Sequence, residues 1–307
     1  VGISGEVCAL STNKIRPRPV LRYYGGKWRL APWLISLFPP HRIYVEPFGG
    51  GASVLMRKER TYAEVYNDLN DEIVNVFRVL QDPDMANALC RQLMLTPYAR
   101  NELERAYVPS LNPIEAARRT IVRSFMGFGS TALETPRGFR SRASVWGHTG
   151  FRRSSYRSGT IPAHDWANYP VQIQNFIERL AGVVIECKPA AEVMADHDRA
   201  DTLHYVDPPY LQQTRSSPRH EYRHEMTEQD HIDLANQLHR LKGMVVLSGY
   251  PSSLYDDELY RNWTRLERIH MADGARKRTE VVWLNPAAAE NTHHSTLFTE
   301  TSEVLRT

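Results

Sequence analysis

Short apolar runs with strand composition alternate along the chain with stretches in which apolar residues recur at helical spacing. The first helical pattern, "KWRLAPWLISLF", gathers Trp28, Leu30, Trp33, Leu34, Leu37 and Phe38, and the Pro39-Pro40 pair ends it. "RIYVEPF" reads as a short strand running straight into "GGGAS", and helix-like composition resumes in "SVLMRKER". "TYAEVYND" is a second strand ending on an acid, and "DEIVNVFRVL" sets Ile73, Val76, Phe77 and Leu80 on one helical face. "PDMANALCRQLML" and "IEAARRTIVRSFMGF" are helical, but between Gly127 and Tyr169 no period is sustained. Order returns with the helix "VQIQNFIERLAG", capped by Gly182, the strand "VVIEC", the short helix "AEVMADH" and the strand "TLHYV". Thr227, three residues before Asp230, opens a helix that closes at Gly243. "MVVLSGY" is then a strand, "LYDDELY" a short helix and "RTEVVWLN" the last clear strand; from Pro286 on the chain reads as polar and frayed.

Strands alternating with helices on both sides of an irregular block predict an α/β protein. The expected architecture is Rossmann-like, a mostly parallel open sheet with helices on both faces plus an inserted, mainly helical and irregular module. The corresponding boundaries are a flexible arm at 1–19, a sheet domain at 20–81 and 181–286, an insert at 82–180 and a polar tail at 287–307. A length of 307 residues suits one core domain with such a module. No apolar run approaches the ~20 residues that span a bilayer, and the first residues lack the order of a signal peptide. Three widely spaced cysteines read as reduced thiols in a cytoplasmic protein; a soluble monomer is the expectation. Twelve scattered histidines, with neither an HExxH nor cysteine partners, predict no metal site.

The net charge of +3 says little as a total, but its distribution changes the picture. Between Arg118 and Thr160 stand nine arginines, no lysine and one acid, Glu134, so this stretch carries +8 and the remainder −5. Phe125, Phe128, Phe139, Trp146, Phe151 and Tyr156 are interleaved with them. Lysine would serve a solvated face equally well, whereas arginine alone points to planar, bidentate recognition of phosphate or guanine. The composition is that of a surface that reads nucleic acid.

Three motifs carry candidate chemistry. In "VEPFGGGAS" a strand ends in consecutive glycines, which lets the backbone approach a ligand. The loop lacks both the Gly-Lys-Ser/Thr of a phosphate loop and the GxGxxG of a dinucleotide site, and Glu46 suits a cationic or amine-bearing ligand. Asp68, about 20 residues further on at the end of the next strand, suits the two hydroxyls of a ribose. In "YVDPPY" a strand stops on Asp207, two prolines that present carbonyl oxygens without donors, and the flat ring of Tyr210. Two acceptors and a ring platform together can hold an exocyclic amine on a planar base.

With "LRYYGGK", "VEPFGGGAS", "YNDLND", "YVDPPY", "TEQDH", "VVLSGY" and "RTEVVWLN" in order, residues 20–285 resemble the Dam-type (D12 class) DNA adenine-N6 methyltransferases, which use S-adenosylmethionine. The resemblance implies that Tyr23 and Lys27 contact the cofactor, that Glu46 and Phe48, Gly49, Gly50 and Gly51 form its loop, and that Asp68 takes its ribose. It implies that Asp207 lies between cofactor and target adenine, with Pro208, Pro209 and Tyr210 completing the catalytic motif. The partner implied is double-stranded DNA, held by the segment between the motifs, where Arg123, Arg137, Arg140, Arg142, Arg152, Arg153 and Arg157 are the candidate contacts. Methyl transfer to cytosine N4 shares the amine chemistry, and a DNA-binding regulator on an inactive fold is the reading from another class. Aspartate at the head of the motif favours adenine, and the presence of Asp68, Asp207 and Tyr210 argues against an inactive fold.

Overall fold

The computed structural model describes residues 18–127, 133, 162–215, 222–272 and 276–292. In chain order its helices are α1 (Ala31–Ser36), α2 (Asp71–Gln81), α3 (Pro83–Leu95), α4 (Arg100–Arg105), α5 (Pro113–Met126), α6 (Pro162–Ala167), α7 (Ile173–Leu180), α8 (Ala190–Asp196) and α9 (Glu228–Leu238). The described residues divide between two compact units, one drawn from Lys27–Asn70 and Gly182–Thr307, the other from Val1–Gly26 and Asp71–Ala181.

The first unit is built on a seven-stranded sheet. Its strands are β1 (Ile43–Glu46), β2 (Ala63–Asn67), β3 (Val183–Glu186), β4 (Thr202–Val206), β5 (Met244–Gly249), β6 (Thr264–Ala272) and β7 (Arg276–Leu284), in the order β3-β2-β1-β4-β5-β7-β6. The five strands from β3 to β5 are parallel, while β7 runs antiparallel to both β5 and β6. The expected α/β class and mostly parallel sheet are therefore present. The chain steps outward from β1 through β2 to β3 and then returns to β4 on the other side of β1. In open α/β sheets such a reversal is where ligands gather, beyond the carboxyl ends of the strands.

Every residue of β4 and β5 is buried, as a parallel sheet covered on both faces requires. Val206, Val245, Leu247, Val281 and Trp283 pack with Leu234 and Leu238 of α9 in one core cluster. α9 begins where the sequence places it: Thr227 and Asp230 form a reciprocal capping box. Four local expectations differ. "SVLMRKER" makes only turns, with Met56 N–H bonded to the Ala52 carbonyl, and Leu254–Leu259 is a π-helical turn. β6 was not expected as a strand, since its "TRLER" is an exposed, charged edge without clear apolar alternation. Residues 286–292 are helical instead of frayed, because the Asn285 side chain caps Ala288 N–H while also binding Val245 N–H and the Gly243 carbonyl.

The second unit is helical. Asp82 and Asn112 cap α3 and α5, each followed by a proline in the first turn. α2 packs on α5, and Leu21, Ile121, Val122, Met126 and Tyr169 are buried. The segment before Lys27 belongs here: Arg22 N–H donates to Ser124 Oγ at 2.7 Å, and Tyr169 donates to the Val20 carbonyl at 2.8 Å. Residues 20–26 and α2, expected with the sheet, thus cluster with the helices.

Candidate active site

The loop after β1 is locked to the end of β2. Gly49 N–H bonds to the Asn67 carbonyl at 2.7 Å, Tyr66 donates to the Gly50 carbonyl at 2.7 Å, and the Asn67 side-chain amide holds the Pro47 carbonyl at 2.9 Å. A Cβ on residue 49 would stand 2.2 Å from the Tyr66 ring, so only glycine lets the loop lie this close. Gly50 has φ +47°, and Ala52 pays the strain of φ +51° without being glycine. Phe48 packs against the core cluster, and Gly51 is buried. Asp68 is tied into the same loop: its carboxylate accepts Gly50 N–H and Asn70 N–H, each at 2.8 Å. Burial lifts its pKa, against the pull of these two amides.

Glu46, the last residue of β1, is fully enclosed. Its Oε2 accepts the Tyr44 hydroxyl at 2.9 Å and Leu55 N–H at 3.0 Å. Burial pushes its carboxyl up to about 8, with Asp207 adding to the rise and those two bonds opposing it. A cationic group settling nearby would favour the ionised form.

Asp207 stands just beyond β4 with both oxygens engaged. Lys27 Nζ lies 2.9 Å from Oδ2, and Ser248 of β5 donates to Oδ1 at 3.0 Å, its own oxygen 3.1 Å from the Tyr205 hydroxyl. Lys27 is buried yet held above its ordinary pKa: the nearby Asp207 and Glu280 carboxylates outweigh the burial. Glu280 of β7 lies 3.6 Å from Lys27 and accepts the Tyr210 hydroxyl. Burial is the main cause that raises Glu280 to about 7, with Lys27 acting against it. Among the described residues no donor is bonded to the Pro208 carbonyl. The Tyr210 carbonyl, by contrast, is clamped by the buried Arg215, whose Nε lies 2.6 Å away and whose Nη1 pairs with Glu225 at 2.8 Å.

Most of the expected residues therefore converge in the sheet unit: Lys27, Glu46, the 48–51 loop, Asp68 and the 207–210 motif. Tyr23 belongs to the helical unit, in a turn closed by Gly26 N–H on its carbonyl. Tyr210 differs from the open platform expected of it. Its ring is buried, Lys27 Nζ lies 4.7 Å from its centroid, and Tyr250 meets it edge-on at 4.6 Å. Arg123 differs too: it is spent on Glu72 at 2.6 Å, on Thr120 and on the Leu133 carbonyl. Arg137, Arg140, Arg142, Arg152, Arg153 and Arg157 lie outside the described residues. Ser248, Arg215 and Glu280 were not anticipated. The motifs "VVLSGY" and "RTEVVWLN" hold two of them, but nothing local marks the serine as facing Asp207 or the glutamate as facing Lys27.

The model of the D12 class N6 adenine-specific DNA methyltransferases matches residues 23–112 and 156–277, more than half of the chain. The chain belongs to that family. Curated relatives agree along most of their length. Type II methyltransferase M1.LlaDCHI of Lactococcus lactis subsp. cremoris is 24% identical over 289 residues, which cover 87% of this chain and 91% of the relative. A DNA adenine methylase of Vibrio cholerae serotype O1 is 25% identical over 80% of this chain and 86% of its own. One from Salmonella typhi is 21% identical over 83% and 86%. This member of the D12 class is thus an adenine-specific DNA methyltransferase, and its class implies a methyl donor. Among the described residues no group of His, Cys, Asp and Glu is placed to hold a metal, and no helix is long and apolar enough to cross a membrane.

Proposed function

We propose that the sheet unit performs adenine N6 methylation at the ends of β1, β4 and β5, with S-adenosylmethionine as the donor. The observation that carries this reading is Asp207, fixed from two sides by Ser248 and Lys27 in the unit that also holds the glycine loop following the enclosed Glu46. The donor set fits the cofactor. The Asp68 carboxylate suits ribose hydroxyls, the Gly49 approach leaves backbone in place of a side chain, and Glu46 provides an acid for a cationic ligand. When bound, S-adenosylmethionine supplies an electrophilic methyl group on its sulfonium.

The chain's own residues then have to orient the amine. The N6 lone pair of adenine is delocalised into the ring, so the nitrogen is a poor nucleophile. Asp207 and the Pro208 carbonyl accept its two N–H bonds, which favours a pyramidal nitrogen with its lone pair aimed at the methyl. Alignment is the main contribution to the rate, and no strong base is needed beforehand. The adenine must leave the duplex to reach this place. Tyr210 stacks on it only if the Lys27 ammonium withdraws from the ring. Residues 82–180 form the segment that recognises DNA, with the arginines at 137, 140, 142, 152, 153 and 157 as its contacts.

Asp207→Ala tests the assignment. Transfer of labelled methyl to duplex DNA is expected to vanish while duplex binding persists, and retained transfer refutes the role. Digestion of the wild-type product to nucleosides should give N6-methyldeoxyadenosine; N4-methyldeoxycytidine would overturn the adenine assignment.

A further inference from the structure

β7 is longer than its contact with β5. Its pairing with β5 ends at Gly249↔Val281, whereas its pairing with β6 continues through Arg268↔Glu280, Ile269↔Thr279, His270↔Arg278 and Met271↔Lys277 to Ala272↔Arg276. A free two-stranded ribbon five pairs long, about 17 Å, therefore projects past the carboxyl end of β5. β5 is parallel to β4, so the ribbon leaves the sheet at the edge where Asp207 stands.

Side chains alternate along a strand, and opposite residues of an antiparallel pair share a face. The face that presents Glu280 to Lys27 and Tyr210 next presents Arg278 and His270, with Arg268 opposite Glu280 itself. The Arg278 guanidinium lies 5.2 Å from the centroid of Tyr250, the ring that meets Tyr210 edge-on. The Arg268 guanidinium lies 5.8 Å from the Trp33 ring. Among the described residues neither arginine pairs with a carboxylate. Arg265, on the opposite face of the same strand, is held by Asp256 and Glu267, each at 2.9 Å. One face has thus neutralised its arginine, and the face beside the catalytic motif has left two guanidinium groups propped on rings with their donors uncommitted.

We infer that the β6–β7 ribbon is a DNA-binding surface belonging to the sheet unit, in which Arg268 and Arg278 hold backbone phosphates beside the extruded adenine. The inference rests on the placement of the reaction at Asp207. A two-stranded ribbon has the dimensions to lie along a duplex groove, and guanidinium groups bind phosphate oxygens in pairs. Holding the backbone next to the flipped nucleotide would keep the base beside Asp207 whatever the surrounding sequence.

The test is fluorescence anisotropy with a labelled duplex of arbitrary sequence, titrated over a range of salt. Arg278→Gln and Arg268→Gln should each weaken binding several-fold and lower the slope of log K against log salt by about 0.9, equally on different sequences. Arg265→Gln should leave the slope unchanged. A wild-type slope in the Arg268→Gln/Arg278→Gln double variant, or an equal drop in Arg265→Gln, overturns the inference. A second measurement uses the unaltered protein and needs no variant to fold. Duplex DNA should shield Arg268 and Arg278, but not Arg265, from phenylglyoxal; equal labelling with and without DNA also overturns it. Failure of the reaction assignment would be visible separately, as methyl transfer by Asp207→Ala.

Discussion

Helix α5 of one unit and the surroundings of Asp207 in the other treat charge in opposite ways. In the helical unit the arginines of α5 are neutralised on the spot: Arg118 by Glu115 and Glu102, Arg119 by Glu115, and Arg123 by Glu72. The two pairs with Glu115 lie one helical turn apart, of the kind that steadies a helix by a few tenths of a kcal/mol, while Glu102 and Glu72 reach α5 from other helices. At Asp207 one ammonium, Lys27, faces two carboxylates, Asp207 and Glu280, and burial leaves Glu280 raised to about 7 and the enclosed Glu46 to about 8. An unequal, buried set of charges opposes folding and persists where chemistry requires it. The contrast separates residues that hold the protein together from residues held in readiness for a ligand.

Four substitutions would break or sharpen that contrast. Gly49→Ala should be the most damaging to the fold, by ~3 kcal/mol in a denaturant titration, since its Cβ meets a ring anchored by the Tyr66–Gly50 bond. Ser248→Ala removes the bond that orients Asp207 and should lower kcat by about tenfold, or ~1.4 kcal/mol, with the melting temperature little moved. An unaltered kcat would make Lys27 the sole positioning group. Glu46→Gln mimics the protonated carboxyl. The wild-type group, raised from 4.5 to about 8, is stabilising when protonated, and that stability declines as pH rises through this window. The variant should therefore gain on the wild type by up to ~1.4 kcal/mol per pH unit between those values, read as melting temperature against pH. Arg123→Gln should have the smallest effect, a loss of ~1 kcal/mol in stability with the salt slope of DNA binding intact. A lowered slope would return Arg123 to the DNA contacts.

The same contrast explains what was legible in the sequence. Asp68, the glycine loop and the 207–210 motif are contiguous words, each placed at a strand end by the local alternation of strand and helix. Ser248 and Glu280 act on Asp207 and Lys27 only because the sheet order sets β4, β5 and β7 side by side, which no local pattern records. β6 was missed because a solvated edge strand carries charges where a buried one carries valines. Arginine count alone marked Arg123 for DNA; the acid that claims it, Glu72, lies 51 residues earlier in the chain. The family model passes over residues 113–155, and most of the arginine-rich stretch lies there.

The burial of Glu46 has a further consequence, for the solution around the protein. A carboxyl group with a pKa of about 8 enters neutral buffer mostly protonated. A cation docking beside it draws that pKa back down, and the hydrogen ion departs. Each positive charge admitted then expels another, so the interior stays near electrical balance. If the donor docks beside Glu46 as proposed, its binding acidifies the medium, and the measured heat depends on which buffer absorbs the released acid.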